Sequence, residues 1–181
     1  MCQTALPARP ETFPATFFPI VNISRPSPRE LRLEDIPESL VGLLVHLPLV
    51  GASSDEGAEA RLYPPPSRDP DMEELVSDWN AHVQPGLQEF FQSSRDVVSA
   101  DLRQLERGGE NPTLVIPLKH ADAWLNALNQ ARLVLACEQG FEEAELSRPP
   151  KMPPSSPREV ARFQMDFYAL LQEALLESTE P

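Results

Sequence analysis

Cysteine is nearly absent from the chain. Cys2 and Cys137 are the only two in 181 residues, too few and too distant for a disulfide framework, and no CxxC or Cys/His cluster offers a zinc site. That favours a reducing compartment. Positive charge is scarce too: 15 Lys and Arg stand against 28 Asp and Glu, a formal net charge of -13. Binding to nucleic acid or to an anionic membrane depends on cations neutralising phosphates. Neither is expected as a partner, which leaves proteins and small molecules. Long apolar runs are missing as well. The longest, LVGLLVHLPLVG from Leu40, contains His46 and Pro48 and is too short to span a bilayer. The N-terminus, MCQTALPARPETFPATFFPI, has no basic head before a continuous apolar stretch, so neither a secretory nor a lipoprotein signal is expected. The expected location is cytoplasmic.

The motifs of common enzymes are also missing: there is no GxGxxG, GxxxxGK, HExxH or GxSxG. His46, His82 and His120 are the three imidazoles, and none has a second His or Cys three or four residues away. His46 reads as a core or boundary residue, and His120 sits at a helix entrance where it can act as a cap. The acidic run EQGFEEAE, from Glu138, lacks the Asp/Asn-and-glycine spacing of a calcium loop, so it reads as solvated surface. No catalytic residue, metal or cofactor is expected.

Proline is abundant, at 21 residues, so proline-broken connections should separate the ordered pieces. Residues 1–18 form a proline-rich arm without periodicity, and 19–181 read as one domain with connections at 53–69 and 147–157. PIVNI, from Pro19, and ELRL, from Glu30, suggest a small hairpin across SRPSP. Asp35 is placed to cap a helix from Ile36 to Leu47, which is apolar on nearly every side and therefore expected to be central. SSDEGAEA, from Ser53, reads as an acidic linker. Asp69 and Pro70 then open a long helical segment in which Met72, Leu75, Val76, Trp79 and Val83 recur at spacings of three and four. Pro85 should kink or divide that segment, and Gly108 and Gly109 should end it. TLVIPL, from Thr113, is a strand leading into a helix that Gly140 closes, with Phe141 folding back on its last turn. Ser156, Pro157 and Glu159 make a capping box for the last helix. The tetrapeptide SPRE occurs at Ser27 and again at Ser156, and only the second copy precedes helical spacing. These elements predict a mainly α fold: a helical bundle with a kinked long helix and a small two- or three-stranded β element. Trp79 and Trp124, flanked by aliphatic residues at helical spacing, are both expected in its core.

One cation is out of place. At about 100° per residue, Trp124, Leu125, Leu128, Ala131 and Leu135 share one arc, and Arg132 falls inside it, while Asp122, Asn126, Asn129 and Gln130 lie opposite. The same projection puts Asp101 on the apolar arc of the long helix. A buried lone ion costs several kcal/mol, roughly, and a guanidinium-carboxylate pair offsets much of that. A structural Arg132–Asp101 pair is therefore expected, with Gln164 or Asp166 of the last helix adding a second bond. The competing reading is an anion pocket at Arg132, bordered by His120, Trp124 and Asn129.

AWLNALNQARLVLA, from Ala123, resembles the signature of the bacterial domain-of-unknown-function (DUF) family numbered twenty-seventeen. RLYPPPSRDPD, the DL pair at Asp101 and FYALLQEALL near the C-terminus follow in the order of that family. The resemblance covers the chain from about Glu30 onward. It implies a mainly helical fold with an N-terminal hairpin, and it brings no established activity or catalytic residues. The expected function is a non-enzymatic interaction or regulatory protein with a protein partner. A small-molecule (anion) binder or an enzyme built around Arg132 is the alternative.

Overall fold

A computed structural model describes residues 21–52, 55–107 and 111–179. The proline-rich arm and the glycines expected to end the long helix lie outside the described residues.

Two strands, β1 (Asn22–Ser27) and β2 (Glu30–Glu34), form an antiparallel hairpin, and β3 (Leu114–Pro117) adds antiparallel to β2, giving the order β1-β2-β3. Alternation explains the placement: Leu31, Leu33, Leu114 and Ile116 point inward and are buried, with Leu33 facing Leu114 and Leu31 facing Ile116. SRPSP is not itself the turn. Ser24 to Ser27 extend β1 through a bulge, and the reversal comes at Pro28 and Arg29.

Helix α1 (Glu38–Val50) starts after Pro37, not after an Asp35 cap. Asp35 instead takes a left-handed φ of 57° and accepts a bond of 2.9 Å from Asn111 Nδ2, which ties the strand exit to the segment before β3. The helix runs past Pro48 and buries Leu40, Val41, Leu44 and Leu47, while Val45 and Leu49 are exposed. It is therefore a flanking helix. From Asp55 onward the acidic linker is helical: Asp55 accepts from Ala58 N at 2.8 Å and caps α2 (Glu56–Leu62).

After a 3₁₀ turn at Pro70–Met72, α3 (Glu73–His82) continues into α4 (Gln84–Leu102). Together they make one helical segment bent by 38°. Pro85 lacks the N–H that would bond back one turn, which accounts for the bend. The segment ends at Leu102, before the glycines expected to stop it.

The centre of the molecule is α5 (Ala121–Glu138), against which α1, α2, α4 and α7 (Pro157–Thr179) all pack. Trp124, Leu128 and Ala131 are wholly buried on the expected arc, as are Phe167 and Tyr168 of α7. Gly140, at φ 58°, ends α5: Phe141 N bonds Ala136 O and Gly140 N bonds Cys137 O, each at 3.0 Å. That is the Schellman pattern expected from the sequence. A short turn of helix, α6 (Glu143–Leu146), follows, and Arg158 of α7 holds this region by bonding both oxygens of Glu145 at 2.9 Å while lying 4.4 Å over the Phe141 ring.

The start of α7 is capped nearly as expected. Ser156 Oγ accepts from Glu159 N at 3.2 Å, but the Glu159 carboxylate reaches Ser155, one residue further back, bonding its N and Oγ at 2.6 Å each. The first SPRE copy has a different fate. It forms the hairpin turn and delivers Glu30 into β2, because apolar residues alternate after it at period two instead of recurring at helical spacing.

Candidate functional site

Asp101 is the most heavily used buried charge among the described residues, at 2% exposure. It occupies the last turn of α4, and β3 with the 3₁₀ turn Leu118–His120 brings the start of α5 beside it. Trp124 Nε1–H donates to its Oδ2 at 2.9 Å, and His120 Nδ1 lies 3.0 Å from both oxygens. The carboxylate thus satisfies the one polar group of a fully buried indole. His120 is partly exposed and caps nothing through its side chain. The three residues form a polar clamp between two helix ends.

Arg132 is not part of this clamp, which corrects the expected Arg132–Asp101 pair. A helical projection records angle and discards height. Trp124 and Arg132 share a face of α5, but eight residues separate them by about 12 Å along the axis. Because α4 runs antiparallel to α5, Asp101 meets its first turn, and the α4 residue further back, Arg95, meets Gln130. Arg132 instead turns toward α7 and donates through Nη1 to Gln172 Oε1, whose own Nε2 donates to Leu125 O at 3.3 Å. Burial lowers the guanidinium pKa, Asp166 nearby raises it, and Arg162 lowers it again. Arg132 Nε makes no hydrogen bond among the described residues.

Asp166 is engaged mainly by Arg162 one turn away in α7, with burial raising its pKa and Arg162 opposing that effect. Gln164 joins neither charge. Its Nε2 donates to Tyr168 Oη at 2.7 Å, and Tyr168 donates onward to Leu43 O at 2.8 Å, linking α7 to α1. Burial pushes the Tyr168 hydroxyl pKa far up, with the Gln164 contact lowering it in part. Asn129 is exposed. The residues named for an anion pocket are therefore dispersed: His120 and Trp124 meet at Asp101, Arg132 faces α7, and Asn129 faces solvent.

The groove at Arg132 is open and bordered by Leu125, Gln172 and Leu176 together with the carboxylates of Glu173 and Glu177. Two acids beside one half-buried cation make it a poor seat for an anion. No group of three or more His, Cys, Asp or Glu among the described residues is arranged to hold a metal. Among those residues, no helix is long and apolar enough to cross a membrane.

Sequence reasoning missed one feature that the fold makes plain. Helix α3 buries no residue and packs chiefly on its own continuation, α4, and on the preceding turn. The apolar arc along this stretch faces outward: Met72 just before α3, Leu75 within it and Val83 at its C-cap are 48%, 49% and 46% exposed, and Phe90 in α4, two turns beyond Val83, is 51% exposed. Trp79, expected in the core, is half-buried on this same arc. The missed signal is charge. From Asp69 to Ser94 there are six carboxylates and no Lys or Arg.

No curated protein and no solved structure matches the chain. The family model described as "Domain of unknown function (DUF2017)" matches residues 25–179, which is most of the sequence, and the chain belongs to that family.

Proposed function

We propose that this chain is a non-enzymatic cytoplasmic protein-interaction module, and that the apolar face of α3 is its contact surface. One observation carries the reading: Met72, Leu75, Val83 and Phe90 lie about half exposed along one arc that runs from the turn before α3, through α3, which buries no residue, into the first turns of α4. Large exposed apolar side chains gathered on one arc mark an interaction site more often than singly scattered ones do.

The test is affinity capture from the native host with wild-type protein and with Leu75→Ser/Val83→Ser. Recovery of the same protein by wild type, and its loss with the variant, is the expected result. Capture unaffected by the substitutions, or no partner together with thermal stabilisation by a metabolite, would sink the reading. The second possibility, an anion binder at Arg132, draws support from the unpartnered Nε of a half-buried guanidinium and is opposed by Glu173 and Glu177 in the same groove.

A further inference from the structure

The charge around the α3 face sets the chemistry of what can cover it. On a helical projection at about 100° per residue, Leu75, Trp79, Val83, Met72 and Val76 fall within one arc about 100° wide. Glu74 and Asp78 border it on one side and Glu73 lies beyond its other edge. Asp69, Asp71 and Glu89 add to the same sign at the two ends. The stripe from Met72 to Phe90 is about 27 Å long at about 1.5 Å per residue. We propose that this face docks a basic amphipathic helix of roughly 18 residues, with an apolar stripe that meets Leu75, Trp79 and Val83 and flanking Lys or Arg that meet Glu74 and Asp78. This rests on the interaction reading above and names the partner's chemistry.

Two observations select that occupant. A second copy presenting the same face would set six carboxylates against six, in a chain whose formal charge is already -13. An anionic membrane surface would be repelled for the same reason. The described residues do include a complementary surface. A groove between α1 and α4 is lined by Val45, Pro48, Leu102 and Leu105 and carries Arg103 and Arg107. Head-to-tail docking of α3 into that groove of another copy is the competing occupancy, and the experiment separates it.

Full-length protein is titrated into three fluorescently labelled peptides of roughly 18 residues: a Leu/Lys amphipathic helix, its Leu/Glu counterpart, and a Leu/Lys scramble with no apolar face. The expected result is binding of the first alone, weakened at least about tenfold when salt rises from about 50 to about 300 mM. Glu74→Lys/Asp78→Lys should weaken it by at least about tenfold at low salt and admit the Leu/Glu peptide instead. Both positions are exposed, and unchanged circular dichroism and melting would show that the variant is folded. Absence of binding, or equal binding of the scramble, overturns the proposal. So does self-association in sedimentation that Arg103→Glu/Arg107→Glu abolishes. The host capture distinguishes the two claims. A partner lost with Leu75→Ser/Val83→Ser but retained by the charge-reversed variant leaves the interaction reading standing and removes the basic helix.

Discussion

Trp124 donates its indole proton to Asp101 Oδ2 over 2.9 Å, joining the last turn of α4 to the first turn of α5. Both residues are buried, so the bond has no water to replace it. Asp101→Leu should destabilise the fold by about 3 kcal/mol, because it removes a charge-assisted acceptor and leaves the Trp124 N–H orphaned. A double-mutant cycle by urea denaturation should give a coupling of about 1–2 kcal/mol between Asp101 and Trp124→Phe, and close to none between Asp101 and Arg132→Met. Substantial coupling to Arg132 would contradict the separation of the two sites along α5.

Arg132 itself should be nearly dispensable. It is desolvated enough for burial to lower its pKa, its one described hydrogen bond is to Gln172, and its Nε has no partner among the described residues. Replacing a half-satisfied buried ion with a side chain of similar volume is often neutral or stabilising. Arg132→Met should therefore shift stability by less than about 1 kcal/mol, read from the denaturant midpoint. A loss of about 3 kcal/mol or more would mean that Arg132 is held by stronger contacts than these.

The difference between those two residues shows what a sequence can and cannot carry. Local chemistry was legible: alternation gave the hairpin, Pro85 the bend, Gly140 and Phe141 the end of α5, and Ser156 the start of α7. The apolar arc of α5 was right as well, with Trp124, Leu128 and Ala131 wholly buried. Pairing across helices was not legible, because it depends on axial register, which follows from the length and path of the connection through β3. Gln130 was missed for a related reason. Polar residues are assigned to solvent by default, yet α5 is packed on several sides, and Gln130 is buried where it accepts from Arg95. Trp79 failed in the opposite direction, since an apolar arc at helical spacing looks the same whether it faces the core or a partner.

The cap of α7 predicts a pH effect at the acid end. Bonds from Ser155 Oγ and Ser155 N, with Lys151 adding a third, pull Glu159 down to about 2. A carboxylate depressed in the folded state contributes stability above its ordinary pKa of 4.5 and loses that contribution as pH falls toward about 2. Glu159→Gln should therefore melt below wild type at neutral pH, with the gap closing between about pH 4 and pH 2. Asp166 works in the opposite sense, since burial raises its pKa and protonation relieves that burial. A gap independent of pH would show that the Glu159 charge plays no part in the cap.

The turn after α5 depends on one backbone angle. Gly140 holds φ 58°, a region in which a side chain clashes with its own carbonyl, although the space around it is open. Gly140→Ala should cost about 1 kcal/mol from that conformation alone. Gly140→Asn should cost less, since asparagine tolerates the left-handed region. Equal losses for the two, measured by thermal melting, would place the cost in packing instead of backbone.

The α3 face should be neutral for folding, and that separates a docking surface from a core. Phe167 is wholly buried, and Phe167→Ala should cost about 3–5 kcal/mol. Leu75 on α3, a helix with no buried residue, and Val83 at its C-cap are each nearly half exposed, so Leu75→Ser/Val83→Ser should change global stability by less than about 1 kcal/mol. Urea unfolding followed by the intrinsic fluorescence of the two tryptophans reads both parts, since Trp124 reports the core and Trp79 the exposed helix. A loss comparable to that of Phe167→Ala would mean that α3 is held by the fold after all. If instead stability is unchanged while capture of a partner is lost, the apolar residues of α3 serve a contact outside the chain, and their exposure is the functional state of the helix.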